Sequence, residues 1–343
     1  MKRSVACVGS GRFGACAALL VATFAGVAAC GGTTASSSHG GTTASGGTGG
    51  TTSIAGSAGT TSTAGAAGAT STGPIDFCTG CSLAGACATF AGDGLTELSG
   101  IVPSLTHEGV YFVHNDSGDS SRFFATNCAG DDLGIYEVKD ASNVDWEDVE
   151  RGPCGANNCL YFADIGDNLL ARTDYVVYRT EEPSDISAGT HKVPGVAFPF
   201  VYPDGPHDAE TLLIHPQTGE MMVVTKVAEG LSSLYVFPTP LVANQQATLV
   251  KVGDLTPPTG SVRITSGDVH PEGKGILLRT YTSLFFYAMT PDQTLEAALT
   301  AKPCEMPVLL ELQGESVAFT ANGRGYVTVS EMSGQSLHFA TCQ

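Results

Sequence analysis

Basic residues are scarce. The 343-residue chain has 16 Lys and Arg against 34 Asp and Glu. Lys2, Arg3 and Arg12 account for three of the 16 and fall in the first dozen residues, while every acid comes later. Beyond that leader the balance is 13 against 34, a net charge near −21. Nucleic acid and anionic lipid both need basic surface, so neither is expected as a partner. Cations and cationic groups are favoured instead. After the first thirty residues no apolar run approaches the ~18 needed to span a bilayer. Helical periodicity is almost absent, and "TLEAALTA" (Thr294 to Ala301) is the best and shortest candidate. There is no GxSxG nucleophile motif and no Gly-rich phosphate loop.

The start of the chain has a basic n-region, an apolar run "AALLVATFAGVAAC" and small residues before Cys30. This is the pattern of a secretory signal, and "VAAC" resembles a bacterial lipobox. Residues 1–29 are therefore expected to be a lipoprotein signal peptide, with Cys30 lipidated. Residues 30–74 are rich in Gly, Thr, Ser and Ala, with almost no large apolar residue. Such a chain cannot offset its ordering entropy, so it reads as a tether with an end-to-end distance of about 35–40 Å. Membrane contact is expected only through the lipid. Cys7 and Cys16 leave with the signal. Eight cysteines remain, Cys78, Cys81, Cys87, Cys128, Cys154, Cys159, Cys304 and Cys342. An even count in an exported chain implies disulfides, with "CGANNC" closing a hairpin tip. Cys78-x-x-Cys81 has no matching second pair with His, which argues against a zinc site.

Residues 75–343 are dominated by strand-like runs such as "GVYFVHN", "CLYFADI", "EMMVVTKV", "GILLRTYT" and "GYVTVSE", separated by turn residues. A four-strand unit recurs. Its opening strands are "ELSGIVPS", "DWEDVERG", "DAETLLIHP", "ITSGDVHPEG" and "GESVAFTANG". Four strands repeated radially every ~40–60 residues is the β-propeller pattern. The fold class is all-β, a propeller of five blades, with a six-bladed count still open. The last unit has only three strands, so the fourth is expected from the N-terminal side, around "CATFAG" (Cys87 to Gly92). That closure predicts a disulfide between Cys342 and the Cys78–Cys87 cluster. A β-sandwich would not explain the fivefold recurrence.

In a propeller the first strand of each blade lines the central channel. The aligned first-strand position holds Ser99, Glu147, Glu210, Thr265 or Ser266, and Glu315. Three carboxylates and hydroxyls around one channel would repel and take up protons unless a hard cation sat between them. Ca²⁺ accepts such mixed oxygen shells, so it is the expected cofactor, in a structural role. "NVDWEDVE" (Asn143 to Glu150) becomes the opening of blade two, with Glu147 as a ligand and Asp145 and Asp148 near the rim or just behind the ligands. The loops "NDSGDSS" and "DIGDN" supply a candidate second cation site, Asp116, Asp119, Asp164 and Asp167. Second-strand ends align as Asp116, Asp164, Lys226, Arg279 and Glu331, beside His207 and Asp208. Metal-activated water with Lys226 and Arg279 neutralising an anion, and His207 or Asp208 as base, is the candidate chemistry.

The Ser–Glu–Glu–Ser/Thr–Glu order resembles the channel calcium site of the calcium-activated nucleotidase (apyrase) family. "ELSGIV" and "DWEDV" match that family's blade openings best. The resemblance implies a five-bladed propeller with calcium held by Ser99, Glu147, Glu210, Thr265 or Ser266, and Glu315. It covers only the first strands, and the nucleotidase's substrate residues have no placeable counterparts, so that activity is not carried over. As a whole the domain resembles bacterial exported propellers carrying "NDSGD", "WED", "DIGDN", "DGPHDAE" and "QGE". The expectation is a tethered, monomeric binding module for a small-molecule or protein ligand. The alternative is a metal-dependent hydrolase of a phosphoester or lactone.

Overall fold

Short apolar runs broken by Gly, Asp and Asn turns leave the chain few options except hairpins, and the hairpins stack radially. The computed structural model describes residues 73–90, 94–311, 313–332 and 334–343. The signal at 1–29, Cys30 and nearly all of the tether at 30–74 lie outside the described residues. The first strand, β1 (Cys81–Thr89), precedes the first opening motif. Blade 1 follows as β2 (Leu98–Pro103), β3 (Val110–Asn115), β4 (Arg122–Asn127) and β5 (Gly134–Lys139). Next come β6 (Trp146–Cys154), β7 (Asn157–Asp164), β8 (Tyr175–Glu181), β9 (Thr190–Pro194) and β10 (Val196–Val201). Blade 3 opens with β11 (Ala209–Ile214), β12 (Met221–Thr225) and β13 (Ser232–Val236). It continues through β14 (Ala247–Thr248) to β15 (Val250–Leu255). Blade 4 holds β16 (Ile264–Val269), β17 (Gly275–Thr280), β18 (Leu284–Ala288) and β19 (Cys304–Met306). The expected helix appears within it as α1 (Leu295–Leu299), capped by Thr294, whose hydroxyl accepts from the Ala297 amide. Blade 5 has β20 (Gly314–Phe319), β21 (Gly325–Ser330) and β22 (Ser336–Cys342).

The five sheets are the five blades, which settles the count at five. The opening strands β2, β6, β11, β16 and β20 neighbour one another in that order, and β20 returns to β2. Each is buried almost throughout, because a blade near the axis has another blade on both sides. The apolar core is accordingly divided into five clusters, one per blade interface. Trp146 lies between blades 1 and 2. It stacks on Phe162 at 4.8 Å, and its indole N–H donates to the Ser142 carbonyl at 2.8 Å.

Blade 5 is completed by β1, which pairs antiparallel with β22, Cys81 opposite Cys342. Those two cysteines are bonded, as the closure argument requires, and the closing strand begins at Cys81, earlier than "CATFAG". Cys78–Cys304, Cys87–Cys128 and the hairpin bridge Cys154–Cys159 use the remaining six. Cys78 and Cys81 are therefore not thiolate ligands. Four bridges are consistent with a protein outside the cytoplasm.

Two strands were not legible as blade members. After β8 the chain crosses back to blade 1, where β9 pairs parallel with β5, and only then returns as β10 beside β8. Likewise β14, which follows β13 in sequence, pairs parallel with β10 of blade 2. These stitches account for the long intervals from Glu147 to Glu210 and from Glu210 to Thr265.

Candidate metal site at the channel mouth

All five opening strands break register with their second strands at the same place. The skipped residues are Ser99, Glu147, Glu210, Thr265 and Glu315. A β-bulge of this kind re-aims one side chain out of the ladder. Four of the five re-aimed side chains, Ser99, Glu147, Glu210 and Glu315, line a cavity of about 210 Å³ at the channel mouth. The bulge resolves blade 4 in favour of Thr265, but neither candidate there reaches the cavity. Thr265 donates to the Gly314 carbonyl at 2.7 Å. Ser266 faces deeper, 3.4 Å from Asp148. Tyr281 occupies that side instead, with Gln313 and Glu331 beside it. Ser99 lines the cavity while donating to the Glu147 carbonyl at 2.7 Å.

The residues just past the second strands complete the mouth. Asp116, Lys226 and Glu331 line it, whereas Asp164 and Arg279 do not. The equivalent of Asp116 in blade 2 is Ile165, since Trp146 rather than Glu147 pairs with Asp164. Arg279 is 1% exposed, ion-paired with Glu311 and donating to the Ser316 carbonyl at 2.8 Å, so it has no freedom to meet a ligand. The proposed second site is not assembled either. Asp164 is paired with Arg172 at 2.8 Å, and Asp119 with Arg122 at 2.8 Å. Asp167 accepts from the amides of Ala171 and Arg172 and from the Tyr175 hydroxyl. Of that set only Asp116 joins the cavity.

What forms is a different cluster. Asp116, Asp145 and Glu147 each place a carboxylate oxygen within 4.8 Å of the others, so this triad could hold a metal ion. Asp145 had been placed only at the rim or just behind the ligands. Asp145 precedes β6 and Glu147 is the bulge residue, so strand alternation does not predict that the two meet. The loop "DIGDN" passes directly over the triad. A Cβ added at Gly166 would collide with Glu147 Oε1 and Asp145 Oδ2. Gly166→Ala should therefore weaken cation binding at least tenfold, about 1.4 kcal/mol, in a Ca²⁺ titration of the purified protein. Unchanged affinity would separate the triad from the binding site.

The mouth is strongly polarised. Glu210 is paired with Lys226 through Oε1, while its buried Oε2 has no partner among the described residues. Burial, reinforced by the Asp116 charge, pushes Asp145 up to about 7. Burial and then Asp116 and Asp145 raise Glu147 well above the usual carboxylate range. Burial also raises Asp116 and Glu331, and pushes Glu315 up to about 7. Without a cation, then, the folded protein holds protons here that the unfolded chain would release. Stability must fall as pH rises towards and through 7. The buried His114 and His270, held down to about 4, act in the opposite sense below about 6.5. In chelator the melting temperature should therefore drop between pH 6.5 and 8, where the carboxyls alone act. A flat or rising profile there would contradict this charge assignment.

Deeper along the channel is a layer that sequence reasoning did not anticipate. Asp148 accepts from the Leu212 amide at 2.9 Å. Arg151 meets Asp268 across the axis at 3.3 Å. Burial, reinforced by the charge of Asp268, raises Glu150 well above the usual carboxylate range, and burial raises Asp268 as well. Asp148, Glu150, Arg151 and Asp268 are all buried, so this layer fills the channel below the mouth and the cavity is a cup. Asp148 is thus an interior group, not a rim residue.

His207 and Asp208 line a side pocket of about 360 Å³ that shares Asn168 and Lys226 with the cup. His207 Nε2 lies 3.0 Å from Asp204 and 2.9 Å from the Tyr235 hydroxyl, and Asp208 accepts from the Asp167 amide at 2.8 Å. No protein-family model matches the chain. No curated protein matches it either.

Proposed function

We propose that this chain is a lipid-anchored β-propeller of the cell envelope that holds Ca²⁺ in the cup at its channel mouth. The observation that carries the reading is the triad of Asp116, Asp145 and Glu147, whose oxygens converge within 4.8 Å. The unpartnered, buried Oε2 of Glu210 in the same cavity supports it independently. An orphaned buried carboxylate oxygen is costly and calls for a partner. The candidate ligands are oxygens, from carboxylates, the Ser99 hydroxyl and the Gln313 amide. Ca²⁺ takes six to eight such ligands at variable geometry, whereas Mg²⁺ demands a near-ideal octahedron. Lys226 pairs with Glu210 through Oε1, which leaves Oε2 for the ion. Calorimetric titration of the metal-stripped protein is the test. Ca²⁺ should bind at one site per chain and more tightly than Mg²⁺; absence of binding by either ion would refute the reading.

One observation favours a second reading. The side pocket beside the cup brings His207, Asp208, Lys226 and Arg263 next to the proposed ion. A metal-dependent hydrolase of a phosphoester or lactone would use the ion to activate water, with Lys226 and Arg263 facing an anion. A substrate panel with and without chelator decides this, and no turnover in Ca²⁺ or Mg²⁺ leaves the binding role alone.

A further inference from the structure

The loops around the channel mouth carry an unusual concentration of exposed apolar side chains. Val144, Leu169, Leu170, Leu231, Leu310 with its neighbour Leu309, and Met332 are all exposed there. Leu169 is 88% exposed and Leu310 84%, so nearly the whole side chain stands in water. Each is tied by sequence to the cup. Val144 precedes Asp145, and Leu169 and Leu170 follow Asn168. Leu231 ends the loop that begins at Lys226, Leu310 leads into Gln313, and Met332 follows Glu331. Single exposed leucines are ordinary, but a ring of them on one face marks an interaction surface. Leu170 and Met332 are also held at φ of 52° and 86°. Residues with side chains rarely adopt that left-handed conformation, and such strain concentrates at functional sites.

The centre of this ring is negative. Six carboxyl groups, on Asp116, Asp145, Glu147, Glu210, Glu315 and Glu331, face one ammonium, Lys226. With all six carboxyls ionised the charge would be −5, or −3 with a dication bound. The described start of the chain lies at the opposite end of the blades. There the segment from Gly73 to Cys78 packs beside Lys274 and Arg324, in the first hairpins of blades 4 and 5. Phe77 stacks on Phe286 at 4.5 Å. The described start of the chain therefore does not cover the mouth. The negative charge disfavours an anionic membrane as occupant, and two mouths of like charge would repel each other.

We propose that the channel-mouth face is a docking surface for a protein segment that presents a lysine or arginine among apolar side chains. The ring would bury the apolar groups, and the cup would take the positive charge. This goes beyond the cation reading and does not depend on which ion is bound.

The test is a random peptide library selected on the purified protein and counter-selected on the Leu169→Ser, Leu170→Ser, Leu310→Ser variant. All three substitutions are at exposed positions, and an unchanged melting temperature verifies that the variant folds. Enriched sequences should carry a basic residue flanked by apolar ones. The best of them, synthesised with a fluorophore, should bind the variant at least roughly tenfold more weakly. Replacing its basic residue by glutamate should cost at least as much. No enrichment, enrichment without a basic residue, or equal binding to the variant would overturn the proposal. Two further arms use Cys30→Ser protein, which cannot be lipidated. Co-sedimentation with vesicles of phosphatidylcholine and phosphatidylglycerol, or self-association in sedimentation velocity, would overturn it if lost in the same rim variant. The first would assign the face to lipid and the second to another copy of the chain.

Discussion

Glu147→Gln should abolish the rise in melting temperature that Ca²⁺ produces in the native protein. At calcium concentrations a hundred to a thousand times the dissociation constant, binding to the folded state alone is worth about 3–4 kcal/mol. For a domain of this size that corresponds to roughly 5–10 °C. Glu147 belongs to the triad and is re-aimed into the cup by the bulge in β6. Its carboxyl is also pushed upward by burial and by the charges of Asp116 and Asp145. Removing its charge therefore has opposite effects in the two conditions. In chelator the Gln variant should be at least as stable as the native protein, because like-charge repulsion is relieved. In calcium it should be less stable. Glu150→Gln is the matched control, three residues along the same strand. Glu150 is buried in the lower layer, where the charge of Asp268 acts on it, so the calcium-induced shift should survive there in full. Equal shifts for the two variants would mean that the cup is not where the cation binds.

Breaking the ring closure should be the most damaging change to stability. Cys81–Cys342 and Cys78–Cys304 join chain segments 261 and 226 residues apart. They hold the two ends of the propeller together, since β1 and β22 supply opposite sides of one blade. With Cys78–Cys304 in place, the other bridge closes an effective loop of about 40 residues, 3 from Cys78 to Cys81 and 38 from Cys304 to Cys342. On the chain-entropy model its loss costs roughly 4 kcal/mol. Losing both bridges should cost about 9 kcal/mol, comparable to the whole stability of an ordinary domain. The Cys81→Ser, Cys342→Ser protein should melt well below the native one, and removal of all four cysteines should leave it largely unfolded. Thermal unfolding followed by circular dichroism measures both. A negligible change in either would show that the N-terminal strand does not close blade 5 in solution.

The repeat was readable because each blade opens on the same pattern, a polar residue followed by an apolar run. That alone pointed to five blades, with six still open, and to the residues that the bulges re-aim, with blade 4 undecided between Thr265 and Ser266. The closing strand followed from counting strands in the last unit, and a disulfide between Cys342 and the Cys78–Cys87 cluster followed from that closure. The stitches β9 and β14 were invisible, since nothing local distinguishes a strand that pairs with its own blade from one that crosses to its neighbour. At the site, register was the limit. One residue of slip placed Asp164 where Ile165 stands, and two placed Arg279 where Tyr281 stands. Asp119, Asp164 and Asp167 read as ligands because their loops are acidic, yet each is committed to a local pair or to loop amides. Asp148 and Glu150 face the channel below the mouth, and their partners come from blades 3 and 4, a relation that no spacing within β6 could reveal.

The central claim is that the acid-lined cup is a cation site. Metal content of the purified protein, measured by mass spectrometry after dialysis against chelator-treated buffer, tests it most directly. The account predicts about one calcium per chain in the native protein and far less in Glu147→Gln. Native protein that carries no divalent metal, and takes none up when calcium is restored, would contradict it.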